Sequence, residues 1–157
     1  MTPIPSRDIL AVSCCAPSCL NLREGEGLNR QIQQSYQGHS GYLQATGLCA
    51  NLVEAGLLVS HMESGRRGYD SLDFYKIVRP ETLPFTPFPF ELSLSQLKDA
   101  ALATLEIQKR TLSCGMSLVD CNVYNIQFLG CRPVLIGNRS LRFPMASGDL
   151  GGCVPSV

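Results

Sequence analysis

The sequence lacks long apolar runs, net charge and a basic leader, and each absence excludes a class of protein. Its apolar stretches, such as Val134–Ile136, are far shorter than the roughly 20 residues of a membrane-spanning helix. Thirteen basic residues balance thirteen acidic ones, so neither nucleic acid nor a membrane is expected as a partner. Residues 9–13 are too short for the apolar core of a secretory signal, which spans about 7–15 residues. A cytoplasmic protein is therefore predicted.

The eight cysteines have neither the spacing of a metal site nor the density of a disulfide scaffold. Cys15 and Cys19 form one close pair, but no second pair of Cys or His follows, as a structural zinc site would need. At about 5% of the chain, cysteine is less frequent than in disulfide-rich domains, where it exceeds about 8–10%. No metal site is expected, and the thiols are interpreted as ordinary buried or surface side chains.

What the 157 residues do contain is enough apolar material, 45%, for one packed domain. The pattern predicts an α+β fold with a long central helix, short antiparallel hairpins and small N-terminal helices. Ser93 with Gln96 forms a capping box for a helix from Leu94 to Cys114, and Gly115 suits its end. Apolar residues at helical spacing are interpreted as its buried stripe: Leu94, Leu97, Ala101, Leu105 and Leu112.

Shorter elements are predicted on both sides of this helix. A helical face is expected after Leu28, a short helix from Leu48 to Ala55, and strands at four places. The face comprises Ile32, Tyr36, Tyr42 and Leu43, and the strands are Leu57–Val59, Phe74–Val78, Tyr124–Leu129 and Pro133–Ile136. Residues 80–90 alternate prolines with phenylalanines, and they are expected to form an extended segment that lies against the domain.

One motif suggests chemistry: Asp120 is followed five residues later by Asn125, between the long helix and a predicted hairpin. This arrangement resembles the catalytic loop of protein kinases and their antibiotic-phosphorylating relatives. The resemblance implies that Asp120 accepts the proton of a substrate hydroxyl and that Asn125 holds magnesium. Lys76, on a predicted strand, is the candidate lysine for pairing with phosphate. In this interpretation the fold is a degenerate kinase-like lobe.

The kinase-like interpretation is incomplete in the sequence. Gly137 stands where a second metal-binding Asp is expected, directly after Val134–Ile136, and no glycine-rich phosphate loop precedes the motif. The structural alternative is that Asp120 and Asn125 hold a tight loop by bonding to nearby amides. Lys76 is then a charged side chain at the edge of a sheet.

A second resemblance covers about residues 28–136. Several separate segments, in the right order, are similar to bacterial class I S-adenosylmethionine-dependent methyltransferases whose long chains begin with a separate N-terminal domain. These segments are residues 75–81, 95–102, 104–108, 115–118 with Asp120, 124–128 and 132–134, joined by 30–32, 35–36 and 56–61.

This resemblance implies S-adenosylmethionine as the cofactor of the full-length family, bound by a Rossmann-like domain further along the chain. No strand, glycine-rich turn and helix of that kind is encoded here, so no cofactor is expected in this chain. The resemblance divides the chain into an irregular lead-in (1–22), a methyltransferase-associated N-terminal domain (23–136) and a disordered or aberrant tail (137–157). The two ends are expected to come from a shifted reading frame or a truncated gene.

Three functions follow as hypotheses. The first is a truncated N-terminal portion of a methyltransferase-like protein, inactive alone, whose partner is the missing downstream domain or a second copy. The second is a small-molecule phosphotransferase that uses Asp120, Asn125 and Lys76. The third is a non-catalytic binding module that docks a partner through residues 80–90.

Overall fold

The computed structural model describes residues 9–10, 19–24, 27–64, 74–120 and 122–143. Within these ranges the fold is α+β, as predicted, with a long helix, two shorter helices and short antiparallel strands. The helices are α1 (Gln37–Ala45), α2 (Leu48–Glu54) and α3 (Leu94–Ser113). The strands are β1 (Ile9–Leu10), β2 (Cys19–Glu24), β3 (Gly27–Gln33), β4 (His61–Ser64), β5 (Phe74–Pro80), β6 (Ser117–Leu118), β7 (Ile126–Leu129), β8 (Arg132–Leu135) and β9 (Leu141–Arg142).

The largest sheet has five strands in the order β1-β2-β3-β5-β4, and every neighbouring pair is antiparallel. Its central strand β3 corrects the sequence analysis, which assigned Ile32 to a helical face. Ile32 instead pairs with Lys76 of β5 and with Cys19 of β2. Strands on both sides form hydrogen bonds with the backbone of residues 27–33. This pairing decides the structure of the segment, although its apolar residues have helical spacing. The helix begins only at Gln37.

The segment after α2 pairs with strand β8 near the other end of the described chain. Residues Leu57–Val59, predicted as a strand, make a single parallel bridge between Leu58 and Leu135 of β8. The Leu135 amide donates to the Leu57 carbonyl over 2.8 Å, and the Val59 amide donates to the Leu135 carbonyl over 2.9 Å. The prediction of a strand at Leu57–Val59 was therefore wrong, and the next strand along the chain, β4, begins at His61.

Both ends of α3 confirm the sequence prediction to within one residue. The Ser93 hydroxyl accepts from the Gln96 amide, and the Gln96 side chain accepts from the Ser93 amide, so the capping box is formed. At the other end Gly115 has a φ of +70°. The Met116 amide donates to the Thr111 carbonyl and the Gly115 amide to the Leu112 carbonyl, which is a Schellman ending.

The orientation of α3 was predicted wrongly. Its buried residues are small or of moderate size: Ala100, Ala103, Ile107 and Thr111. Three members of the predicted stripe point outward instead, since Leu94 is 87% exposed, Leu105 65% and Leu112 55%. Ala101 is also exposed, and Leu97 is half-buried. The stripe was assigned to the core from its helical spacing, whereas the strands that follow α3 pack against the face that carries the smaller side chains and Ile107.

After α3 the chain forms two short antiparallel pairs, β6 with β9 and β7 with β8. The main core gathers residues from the sheet, the helices and these pairs: Ile32, Tyr36, Leu43, Leu48, Leu52, Leu58, Val78, Ala100, Ile107, Met116, Leu118, Ile126, Phe128, Leu135 and Leu141. Leu141 belongs to the segment 137–157 set apart in the sequence analysis. It is fully buried, and its carbonyl accepts from the Tyr36 hydroxyl over 2.7 Å. Residues 144–157, and most of the predicted lead-in, lie outside the described residues.

Residues 80–90 pack less closely than predicted. Phe85, Phe88 and Phe90 are exposed by 68%, 57% and 81%. Phe88 and Phe90 stack on one another with ring centroids 5.4 Å apart. Pro80 is still part of β5, and a short 3-10 helix, Pro89–Glu91, ends the segment. Residues 81–88 between them belong to no strand, and the exposed rings of Phe88 and Phe90 contact one another. In the described part of the chain, no helix is both long enough and apolar enough to cross a bilayer.

Candidate functional site

The loop between β6 and β7 brings two predicted site residues together. The Asn125 amide group points to the backbone carbonyl of Asp120 at 3.5 Å, and one Asp120 carboxylate oxygen accepts from the Asn122 amide at 3.4 Å. Asn122 adds a side-chain cap, because its oxygen accepts from the Tyr124 amide at 3.0 Å. These contacts are those of the structural alternative, in which the polar side chains hold the loop.

The loop is connected to the large sheet through one residue, Ile136. The Ile136 amide donates to the Asn125 carbonyl over 2.9 Å, and the Ile136 carbonyl accepts from the guanidinium of Arg30 on β3. Gly137 follows directly, and a Cβ built on it would lie 3.3 Å from an Arg30 nitrogen. Arg30 is thus connected to the Asp120–Asn125 loop through the backbone of Ile136.

Lys76, the third predicted site residue, is engaged elsewhere. It lies on β5 and forms an ion pair with Glu63 of β4 at 2.5 Å. Its ammonium also lies 5.4 Å from the centre of the Tyr75 ring. Hydrogen bonding from Lys76 is the main cause that lowers the pKa of Glu63. No contact with Asp120 or Asn125 occurs among the described residues, so the three candidates do not form one constellation.

Beside Arg30 lies a narrow cleft lined by His61, Leu58, Val59 and Ile136. Its volume is about 10 Å³, which is space for about one water molecule. The Cys49 sulfur lies 3.9 Å from the Nε2 atom of His61. Burial raises the pKa of the Cys49 thiol and lowers the pKa of His61. Both groups are thereby held neutral near pH 7, which is unsuitable for a thiolate nucleophile.

A larger groove lies between the proline–phenylalanine segment and the β7–β8 turn. Its volume is about 470 Å³, within the range of about 300–1,000 Å³ of ligand sites, but it is open to solvent. The groove is lined mainly by apolar residues and reaches the first turn of α3: Pro84, Phe85, Pro87, Glu91, Leu92, Gln96, Phe128 and Gly130. Because it is open and mainly apolar, this groove is better suited to contact with another molecule than to catalysis.

The outward side of α3, which we call the α3 outer face, continues this apolar surface. It consists of Leu94, Ala101, Leu102, Leu105 and Leu112, with Lys98 and Lys109 among them. At 1.5 Å per residue, Leu94 and Leu112 are about 27 Å apart along the axis. Four leucines on this one helix face are each exposed by more than half, and large exposed apolar surfaces typically mark an interaction site.

Comparison with known proteins gives one relative of this chain. The nodulation protein NoeA of Rhizobium meliloti (strain 1021) is 32% identical over 111 residues, which cover 69% of this chain and 23% of NoeA. The chain therefore spans less than a quarter of the length of NoeA. No protein-family model and no solved structure matches the chain.

Sequence reasoning found the Asp120–Asn125 loop but missed Arg30 and the α3 outer face. Arg30 carried no signal, because its segment was assigned to a helix and its partner, Ile136, is 106 positions away. The outer face did carry a signal. Leu94, Leu105 and Leu112 share the face with Lys98 and Lys109, and charged residues within a stripe indicate solvent or a partner rather than the core.

Proposed function

We propose that this chain is a non-catalytic docking module of a methyltransferase-like protein. The module binds the rest of such a protein, its methyl-transferring part, through the α3 outer face. On this proposal the methyl donor S-adenosylmethionine is bound by that larger part. The Asp120–Asn125 loop serves to build the fold and to connect it to Arg30.

The exposed leucines of α3 are the observation that carries the proposal. Leu94, Leu105 and Leu112 have more than half of their surface in contact with solvent. Burying a leucine side chain is worth roughly 1.5–3 kcal/mol, so covering this face would yield a substantial driving force. A contact of this kind fits an interface between domains, which commonly buries about 600–1,500 Å².

Two further observations support the proposal. The chain corresponds to 23% of NoeA, so most of that relative consists of sequence available for such a contact. The cleft beside Arg30, at about 10 Å³, would have to open before it admitted a nucleotide-sized ligand. The methyltransferase part of the proposal itself comes from the sequence resemblance of residues 28–136.

The test is direct binding between this chain and the part of NoeA outside its matched 111 residues. Both are purified separately and combined in biolayer interferometry. We expect saturable binding to the unmodified chain, and a loss of at least about tenfold in affinity for L105D/L112D, because two charged groups would be desolvated in the contact. No binding by the unmodified chain would contradict the proposal.

Met62 provides the matched control for these substitutions. It is 69% exposed, close to the 65% of Leu105, but it lies on β4 at the edge of the sheet rather than on α3. Met62→Asp should therefore leave the affinity unchanged. Calorimetry with S-adenosylmethionine adds a second readout, in which tight binding to the isolated chain would refute a non-catalytic role.

A further inference from the structure

The α3 outer face carries two positive charges within its leucines. Lys98 and Lys109 are both exposed, and they lie about 16 Å apart along the axis on the same side of the helix. Within the described residues neither lysine forms an ion pair with a carboxylate. A partner that covers the leucines must therefore also contact both lysines.

The acidic residues of α3 lie to one side of this face, and Glu106 is close enough to interact electrostatically with Lys109. At 3.6 residues per turn, Asp99 and Glu106 lie roughly a quarter-turn to the side of the line through Lys98, Leu105 and Lys109. Glu106 accepts a hydrogen bond from Arg110, one turn further on, at 2.7 Å. The leucine patch consequently combines apolar surface with positive charge.

This charge pattern disfavours a second copy of the chain as the occupant. In an antiparallel pairing that brings Leu102 against Leu105 of the other copy, Lys98 falls opposite Lys109. In a parallel pairing each lysine falls opposite itself. Both arrangements place like charges across a closing interface, which is unfavourable wherever the leucines are buried.

We propose that the occupant is an amphipathic helix of a different polypeptide segment, with an apolar ridge flanked by Asp or Glu side chains that meet Lys98 and Lys109. This inference rests on the proposed docking function and specifies its partner. The acidic flanks fix the register of the two helices and exclude self-pairing, while the leucines supply the buried area.

The experiment uses two labelled probe peptides and the full chain. Each peptide has three heptads with Leu at both core positions, and the flanking positions carry Glu in one peptide and Lys in the other. We expect fluorescence anisotropy to show the Glu peptide binding about tenfold tighter at low salt, since only the Glu peptide forms ion pairs with Lys98 and Lys109, and repulsion replaces them in the Lys peptide. The ratio should shrink at high salt.

The K98E/K109E chain should reverse this preference, and both substitutions are at exposed positions, where circular dichroism should show an unchanged fold. Equal affinity of the two peptides, or no binding of either, would overturn the acidic-helix partner. The docking function would still be decided separately by the NoeA measurement. Sedimentation of the unmodified chain as a dimer that Leu105→Gln dissolves would also overturn the inference.

Discussion

The two faces of α3 differ in a way opposite to a simple amphipathic helix. The inner face, in contact with β6, β7 and β8, carries Ala100, Ala103, Ile107 and Thr111. The outer face carries the leucines, and these are mostly exposed. Small inner side chains allow the neighbouring strands to lie close to the helix axis, so little apolar area is needed there to close the core.

The contrast separates residues that stabilise the isolated chain from residues that only a partner would bury. Ile107 is fully buried, whereas Leu105, two positions away, is 65% exposed. The first residue contributes to the stability of the isolated chain, and the second can contribute only when something covers it. Substitutions on the two faces should accordingly be told apart by two measurements, unfolding and binding.

The largest difference is expected between Ile107→Ala and Leu105→Ala. Ile107 is buried within the core, and its removal leaves a cavity, so the free energy of unfolding should fall by about 2–5 kcal/mol. Leu105→Ala should change it by no more than about 0.5 kcal/mol. Urea denaturation followed by circular dichroism measures both variants, and similar losses would mean that the outer face is packed in the isolated chain.

An intermediate effect is expected from the helix start, which serves both faces equally. Ser93→Ala removes the acceptor for the Gln96 amide at 3.3 Å, and loss of such a cap costs about 1 kcal/mol. Ser60→Ala, at an exposed position outside α3 whose side chain makes no hydrogen bond within the described residues, is the control. Urea denaturation of the two variants should give a lower midpoint only for Ser93→Ala, and binding to the NoeA remainder should persist in both. Equal midpoints would contradict the role of the cap.

Local rules predicted those parts of the fold that local contacts decide. The ends of α3 depend on Ser93, Gln96 and Gly115, whose effects act within one turn, and all three were identified correctly. The turn between β7 and β8 follows the same logic, since Gly130 adopts a φ of +64°. Such signals are readable because the residues that form the contact are adjacent in the sequence.

What could not be predicted depends on partners distant in the chain. Gly27–Gln33 is a strand because β2 and β5 pair with it, and Arg30 reaches Ile136 across the fold. The face of α3 that is buried is determined by the strands that follow the helix. Periodicity revealed a leucine stripe, but only the position of β6 and β8 decides which side of the helix is covered.

A smaller effect on stability is expected from substitutions in the polar loop after α3. If Asp120 only builds the loop, Asp120→Asn should keep the stability within about 0.5 kcal/mol, because the amide oxygen can still accept from Asn122. Asp120→Ala should cost up to about 1 kcal/mol. Thermal unfolding compares the variants. Magnesium-dependent turnover of ATP by the unmodified chain that Asp120→Asn abolishes would instead establish the phosphotransferase hypothesis.

A comparably small effect is expected at the ion pair of Lys76 and Glu63, in which the Glu63 side chain is 55% exposed and the Lys76 side chain only 14%. Their hydrogen bond holds the pKa of Glu63 below its ordinary value of 4.5. A carboxylate with a lowered pKa in the folded state stabilises the fold above that ordinary value, and the stabilisation is lost as the pH falls through the lowered pKa. Glu63→Gln should therefore reduce stability at pH 7 by roughly 0.2–1 kcal/mol, as surface ion pairs do, and should have less effect under acid conditions.

Chemical denaturation at several pH values tests this prediction. The control is Glu54→Gln, which changes an exposed carboxylate on α2 without an ion pair among the described residues. If both substitutions give the same pH profile, the ion pair contributes nothing to stability, and the charge of Glu63 is as dispensable for folding as the leucines of the α3 outer face.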